Sequence, residues 1–169
     1  RAECRLREDV HAFVALLKKY FPEFKNAELL FTAAQTGVRE TRHIKGEHVL
    51  TGEEYLNAVH FEDAVSRGAH PIDIHTAGDT TQKCQFLKNA AYIPYRSLIV
   101  PGFDNLLVAG RCFSADQVAS ASVRVQASVM GLGQAAGCAA AQCACAGTSV
   151  HKADVPTLQA MLRKWGALI

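Results

Sequence analysis

Residues 105–147 read NLLVAGRCFSADQVASASVRVQASVMGLGQAAGCAAAQCACAG, and this stretch decides the fold. Residues 106–109 form a short apolar run that predicts a strand, which ends at Gly110 and Arg111. After a turn, a long helix rich in Ala, Gly and Ser is predicted over about residues 123–146, with Arg124 as its single charge. A helix with so few bulky or charged side chains is expected to pack along the sheet and to be enclosed on nearly every side.

Three glycines inside that predicted helix strengthen this expectation. Gly131, Gly133 and Gly137 each cost the helix up to about 1 kcal/mol relative to alanine. Close approach of a neighbouring sheet or helix would explain all three. The start of the helix is expected beside the end of the strand, where backbone N–H groups and the helix dipole favour anionic and polar ligands.

The composition of the chain argues against several classes of protein. With 169 residues, of which 49% are hydrophobic, the chain is long enough for one ordinary core. A net charge of +2 argues against binding to nucleic acid or to an anionic membrane surface. Residues 117–150 are predicted to be interior rather than membrane-spanning, because Arg124, Gln126, Gln134 and Gln142 interrupt them and because Ala and Gly are only weakly apolar.

The six cysteines, at positions 4, 84, 112, 138, 143 and 145, show no metal-ligand spacing, so no metal site is predicted. We interpret them as small core residues in a reducing compartment, which favours the cytoplasm. A redox-active Cys112, beside the turn that follows the predicted strand, is the alternative.

Local patterns predict the remaining elements. An apolar helical face within residues 4–20 predicts a helix that Pro22 closes. Thr51 and Glu54 have the spacing of a capping box, which predicts a helix from there to about residue 60. Strands are predicted at residues 28–38, 43–49 and 72–75, an extended segment at 92–100, a loop at 78–90, and a terminal helix within 154–169 with Asp154 as its N-cap.

Several motifs together resemble one family. The runs TGVRETRH (residues 36–43), PIDIH (71–75), IPYRSL (93–98), NLLVAGR (105–111) and GQAAG (133–137) are similar to motifs of the bacterial FAD-dependent oxidoreductases of the two-dinucleotide-binding-domain superfamily. The resemblance implies FAD as cofactor. It also implies an α/β fold, present here as an α+β fragment: the C-terminal part of an FAD/NAD(P)-binding Rossmann-like flavoprotein, with strands from a β-rich substrate domain.

The motif that holds the ADP half of FAD in that family, G-x-G-x-x-G after a strand, does not occur in these 169 residues. We therefore expect the C-terminal part of a larger flavoprotein, inactive alone, whose missing half comes from an N-terminal segment or a second chain; self-association is a further expectation. Residues 1–96 are predicted to be part of the substrate domain, with the N-terminal helix, and residues 97–169 to be the closing segment of the FAD-binding domain.

The resemblance implies that the ribityl chain of FAD passes the end of the last strand, where Gly110 allows close approach to the backbone. Backbone N–H groups at the start of the Ala-rich helix can stabilise the negative charge of a reduced flavin ring. The predicted cofactor-binding residues are Gly110, Arg111, Ser122, Arg124, Val125 and Gln126. The alternatives are an ordinary turn at residues 110–111 and a surface or interdomain ion pair for Arg124.

The predicted catalytic residues come from three of the motifs. Arg39 and Arg42 can bind a carboxylate or another oxyanion of the substrate. Asp73 and His75 share a strand face, so the carboxylate can orient the imidazole for proton transfer. Tyr95 completes the set. The alternatives are a charged surface hairpin, a structural Asp–His pair, and packing of Tyr95 between domains.

The predicted function is therefore that of an FAD-dependent oxidoreductase acting on a small-molecule substrate, with no nucleic acid or membrane span. A non-catalytic remnant or binding subunit, which keeps the fold without flavin, is the first alternative. A cofactor-free hydrolase or lyase with His75 as base is a weaker one, because the chain has no nucleophile motif such as G-x-S-x-G.

Overall fold

The computed structural model of the chain describes residues 1–74 and 83–169. It divides into two compact units, residues 1–39 and residues 40–169. The larger unit contains residues from both sides of position 96 in one core. The division into domains at residues 96 and 97 stays a prediction.

The smaller unit begins with the predicted N-terminal helix, α1, which spans Ala2–Tyr20 and is followed by a 3-10 turn at Pro22–Phe24. The prediction of a strand at residues 28–38 is wrong, because this segment has no regular secondary structure. The side chain of Arg7 holds the segment instead, with hydrogen bonds to the Thr32 hydroxyl and to the carbonyls of Ala33 and Ala34. A side-chain anchor thus replaces the backbone ladder that a strand would need.

The larger unit begins its regular structure at α2 (Gly52–Leu56), where the predicted capping box is confirmed. The Thr51 hydroxyl accepts from the Glu54 N–H at 3.2 Å, and the Glu54 carboxylate accepts from the Thr51 N–H at 2.9 Å. The helix ends four residues earlier than predicted, since Ala58 has a left-handed φ of 49° that cannot continue it.

Two small antiparallel sheets follow. In one, β1 (Ala64–Gly68) pairs with β4 (Ala91–Pro94); in the other, β2 (Ile72–Ile74) pairs with β3 (Lys83–Gln85). The strand predicted at 72–75 is confirmed for residues 72–74, whereas the loop predicted at 78–90 contains β3. The extended segment predicted at 92–100 is β4 followed by a 3-10 turn at Tyr95–Ser97.

Two predicted strands of the larger unit are absent from the described residues. Residues 43–49 are irregular, although their backbone bonds to its neighbours through Ile44 N–H to Cys112 C=O and His48 N–H to Arg96 C=O. Residues 106–109 make one bridge, Leu107 to Ile99, rather than a strand of a sheet. Ile99, the partner in this bridge, comes directly after the 3-10 turn at Tyr95–Ser97, so the pairing cannot extend along a straight strand.

The Ala-rich helix predicted over about residues 123–146 is confirmed as α4 (Gln126–Ala146), which begins three residues later than predicted. A separate short helix, α3 (Gln117–Val123), precedes it, with a break at Arg124 and Val125. Gly147, in the left-handed region at φ 62°, ends α4. The terminal helix, α5 (Val155–Lys164), is confirmed with Asp154 as its N-cap.

The core lies where β1, β4 and helices α3 to α5 meet; its fully buried side chains include Tyr55, Ile93, Phe113, Val123, Leu132, Leu158 and Leu162. One face of α4 packs on this core. The opposite face is open: Met130 is 72% exposed, and Gly133, Gly137 and Ala140 are exposed. The expectation that this helix is enclosed on nearly every side is therefore wrong for the described residues.

The predicted glycine and cysteine roles hold only in part. Of the three helical glycines, Gly131 approaches a neighbour, since a Cβ there would lie 2.7 Å from the Ser66 hydroxyl, while Gly133 and Gly137 face open space. Cys138 and Cys143 are core residues, but the other four cysteines are exposed. Among the described residues, α4 is the one helix that is long and apolar enough to cross a membrane. The core helices of soluble proteins can have the same length and composition.

Candidate functional site

The break between α3 and α4 is the centre of the candidate site. Val125 is the N-cap of α4, with an extended backbone (φ −72°, ψ 150°), and no side chain caps the helix. The first N–H groups of a helix have no intrahelical acceptor, and the dipole of a helix of 21 residues adds partial positive charge there. The predicted residues Val125 and Gln126 thus supply N–H donors at the start of α4.

Arg124, immediately before this N-cap, is held from two sides. Its Nη1 lies 2.8 Å from Oε2 of Glu40, and its Nη2 donates to the Asp73 carbonyl of β2 at 2.9 Å. The other carboxylate oxygen of Glu40 lies 3.2 Å from Nε2 of His43. The charge on Arg124 is therefore balanced by a carboxylate of the TGVRETRH motif.

The same chain of contacts reaches the turn after residue 109. Nδ1 of His43 lies 3.1 Å from the carbonyl of Phe113, and Ile44 N–H donates to the Cys112 carbonyl at 2.9 Å. In this turn Gly110 has a φ of 94°, which favours glycine, and the predicted Arg111 is exposed. Two segments predicted to bind the cofactor, 110–111 and 124–126, are thus connected through Glu40 and His43.

Ser122 does not lie at the start of α4. It is fully buried inside α3, and its hydroxyl donates to the carbonyl of His70. Because that donation uses its one proton, the Tyr55 hydroxyl, 3.0 Å away, must donate to Ser122. Burial raises the pKa of Tyr55, which keeps its proton in place. The structure therefore gives Ser122 an internal role.

Tyr95 also has a structural environment. It is buried in the core, and its hydroxyl donates to the carbonyl of Val150 at 2.9 Å. Burial raises its pKa far above the ordinary value. Its neighbour Arg96 makes a bidentate pair with Asp63, at 3.0 and 3.3 Å. Tyr95 thus joins β4 to the segment before α5 rather than facing open space.

The remaining predicted catalytic residues lie in different parts of the chain, and their joint role stays a prediction. Arg39 is the last residue of the smaller unit, while Arg42 is exposed in the larger one. His75 lies outside the described residues. Asp73 is in β2 and contributes its backbone carbonyl to Arg124.

An open cavity of about 510 Å³ adjoins the start of α4. It is lined by Val125, Ala127, Ser128 and Gly131 from the helix, by residues of β1, and by His70. On β1, the guanidinium of Arg67 stacks 4.5 Å from the centre of the Tyr92 ring. Arg67, which this ring holds, and the first turn of α4 therefore line one cavity.

Sequence reasoning missed four residues that build this region: Glu40, His43, Tyr55 and Asp116. Asp116 accepts from the N–H groups of Ala119 and Gly52, both at 2.8 Å, and so caps α3 while holding α2. An aspartate directly before an apolar helical run is a recognisable N-cap. The pairing of Glu40 with Arg124 could not have been found from spacing, since the two residues are 84 positions apart.

The chain matches the family model described as FAD dependent oxidoreductase over residues 1–162. It belongs to this family of FAD-dependent oxidoreductases, and the cofactor of the family is FAD. No curated protein matches the chain, and no solved structure does. Within residues 1–74 and 83–169, no group of three or more His, Cys, Asp or Glu side chains is placed to hold a metal ion.

The residues around the break between α3 and α4 fit a flavin. A reduced isoalloxazine carries negative charge on its pyrimidine edge, and uncapped N–H donors with an adjacent guanidinium are the groups that stabilise such charge.

Proposed function

We propose that the chain forms the flavin-ring side of an FAD-dependent oxidoreductase, with the ring held at the start of α4. The observation that carries this proposal is the uncapped N-terminus of a 21-residue helix directly after a fixed arginine. The N–H groups of Val125 and Gln126 would face the pyrimidine edge of the ring, and Gly110 with Arg111 would flank the ribityl chain. Family membership supports the choice of FAD.

In this proposal FAD supplies a two-electron acceptor, and the protein supplies the position, the charge and the proton transfer. The helix start stabilises the reduced, anionic form without giving it a proton. Arg124 adds positive charge that Glu40 partly offsets. Ser122 and Tyr55 keep the end of α3 in place from the buried side.

Arg39 and Arg42 are proposed to bind an oxyanion of a small-molecule substrate, and His75 to move a proton to or from it. The basis is the residue chemistry of their motifs. Replacing His75 by alanine is then expected to slow flavin reduction by substrate about 100-fold while the FAD content stays unchanged. Loss of FAD with normal turnover per bound flavin would instead give His75 a structural role.

The ADP-binding part of a Rossmann-like fold is proposed to come from residues outside this sequence, because G-x-G-x-x-G after a strand does not occur within it. The open face of α4 around Gly133, Gly137 and Ala140 supports this, since small exposed residues allow a neighbouring backbone to approach closely. In isolation the chain is expected to be inactive.

The experiment is a flavin assay on the intact protein that contains this chain. The proposal predicts a yellow preparation with flavin absorption bands, about one FAD released per chain on denaturation, and loss of the absorption on anaerobic reduction. A colourless intact protein that takes up no added FAD would contradict the proposal and favour the non-catalytic alternative.

A further inference from the structure

We propose that Glu40 is a positioning residue of the flavin site, which fixes Arg124 and sets the net charge beside the start of α4. This inference rests on the proposed function, because it assumes a flavin ring at that place. Sequence reasoning gave Glu40 no role.

The contacts of Glu40 use both oxygens of its carboxylate. Oε2 lies 2.8 Å from Nη1 of Arg124, and Oε1 lies 3.2 Å from Nε2 of His43. Arg124 in turn donates to the Asp73 carbonyl at 2.9 Å. A guanidinium held by a carboxylate on one side and by a strand carbonyl on the other has one defined position.

The pair is set apart from a surface ion pair by its burial. The side chains of Arg124 and Glu40 are 13% and 22% exposed. In the pair between Arg96 and Asp63, by contrast, the arginine is 50% exposed. Charges that are mostly removed from water are screened less and therefore act more strongly on a neighbouring group.

The position of the pair gives it an electrical consequence. Arg124 is the single charged residue in positions 117–150 and immediately precedes the N-cap of α4. Its positive charge adds to the helix dipole and favours the reduced, anionic flavin. The carboxylate of Glu40 opposes this effect, so Glu40 would lower the reduction potential of the flavin relative to a site with Arg124 alone.

The contact with His43 gives Glu40 a second, mechanical task. Nδ1 of His43 contacts the carbonyl of Phe113. The N–H of Phe113 donates to the carbonyl of Gly110 and so closes the turn that contains Gly110. One carboxylate therefore connects the two segments proposed to hold the flavin ring and the ribityl chain. Glutamine keeps an oxygen acceptor for Arg124 and places an amide NH2 toward His43 without the charge of Glu40, whereas alanine removes both the acceptor and the charge.

The test is a redox titration of the bound flavin in the intact protein, with unfolding in urea as a second readout. Glu40→Gln is expected to raise the midpoint potential with FAD retained, and Arg124→Gln to lower it. Glu40→Ala is expected to lose FAD as well. Asp63→Asn, in the control pair with Arg96, is expected to leave the potential unchanged.

A merely structural pair would give a different result. Glu40→Gln and Arg124→Gln would then both lower the urea midpoint and leave the potential of the flavin where it was, which would overturn the role of Glu40 alone. An intact wild-type protein without flavin would overturn the proposed function, and with it this role.

Discussion

Gly68 in β1 lies directly against the hydroxyl of the buried Tyr55, so that a Cβ at this position would overlap it. Tyr55 cannot move aside, because its ring is fully buried and its hydroxyl is held by Ser122 at 3.0 Å. Gly133 is the opposite case, a helical glycine whose Cβ would face open space. Replacing Gly68 therefore tests a steric effect on stability, whereas replacing Gly133 tests the effect of backbone entropy alone.

We expect Gly68→Ala to lower the free energy of unfolding by about 1 to 3 kcal/mol through overpacking. Gly133→Ala, the matched variant, is expected to raise it by about 0.5 to 1 kcal/mol, because alanine restricts the unfolded chain and favours a helix. Urea unfolding of the two variants measures both values. Equal effects of the two substitutions would contradict the described packing of β1 against Tyr55.

Tyr95 provides a second prediction at this scale. Tyr95→Phe removes the donor to the Val150 carbonyl, so the free energy of unfolding should fall by about 1 to 2 kcal/mol while the flavin content stays the same. Tyr92→Phe is the control, since it keeps the ring that packs against Arg67 and His60. A Tyr95→Phe protein with normal stability and impaired flavin reduction would return Tyr95 to the catalytic set.

Single residues were predicted well where their role is local and poorly where it depends on distant partners. Thr51, Glu54 and Asp154 act on N–H groups three residues away, and all three were identified from spacing. Tyr95 belongs to the IPYRSL motif and Ser122 was predicted near the start of the Ala-rich helix, yet their hydroxyls bond to the carbonyls of Val150 and His70, 55 and 52 residues away. The sequence could not predict these partners, because each hydroxyl meets a backbone carbonyl that only the folded chain brings near.

Among the elements, the segment at Val150–Lys152 is held by a pH-sensitive contact. Nδ1 of His151 lies 2.5 Å from a carboxylate oxygen of Glu47, and its Nε2 lies 3.1 Å from the Phe103 carbonyl. Since both neighbours are acceptors, the ring must be protonated to donate to both. The hydrogen bond with Glu47 raises the pKa of His151, and Asp104 acts in the same direction.

This contact predicts how stability depends on pH. A His whose pKa is higher in the folded state contributes stability that is fully present below its unfolded pKa of 6.5 and is lost as the pH rises through the folded pKa. The drop in the urea midpoint between about pH 6 and about pH 9 should therefore be smaller in His151→Gln than in the wild type. An identical drop in both proteins would show that His151 is not linked to folding.

Helices were predicted better than strands for a physical reason. A helix depends on contacts within four residues, so caps and apolar spacing located α1, α2 and α5. A strand depends on a partner elsewhere in the chain. Residues 28–38 and 106–109 have the composition of strands, but the first has no ladder and the second has one bridge.

For the whole molecule, the open face of α4 is the feature with the clearest consequence. Met130, Gly133, Gly137, Ala140 and Ala144 are exposed along it. An apolar helix face of this length is expected to be covered by another polypeptide. The motif pattern and the family match establish the class of protein. The sequence could not show that this face of α4 is open, because a helix whose side chains are nearly all small has no marked polar side.

We therefore expect the isolated chain to self-associate in solution. Ala140→Lys, which places a charge on the open face, should shift it toward the monomer, whereas Ala34→Lys, at an exposed alanine of the smaller unit, should not. Analytical ultracentrifugation of the three proteins measures this. A monodisperse wild-type monomer at high concentration would contradict a role for this face in association.

The central claim, a flavin ring at the start of α4, is tested most directly at Gln126. Proline is accepted at the first position of a helix, and Val125 already has the extended backbone that a residue before proline prefers. Gln126→Pro therefore removes one N–H donor and leaves α4 intact. Gln117→Pro does the same at the first position of α3, and Gln126→Ala removes the side chain while keeping the N–H.

The measurement is the midpoint potential of the flavin bound to the intact protein. We predict a lower potential in Gln126→Pro, because the reduced, anionic ring loses a donor, with an unchanged urea midpoint and no change of potential in Gln117→Pro or Gln126→Ala. A bound flavin whose potential is the same in Gln126→Pro and in the wild type would place the ring elsewhere and contradict the account.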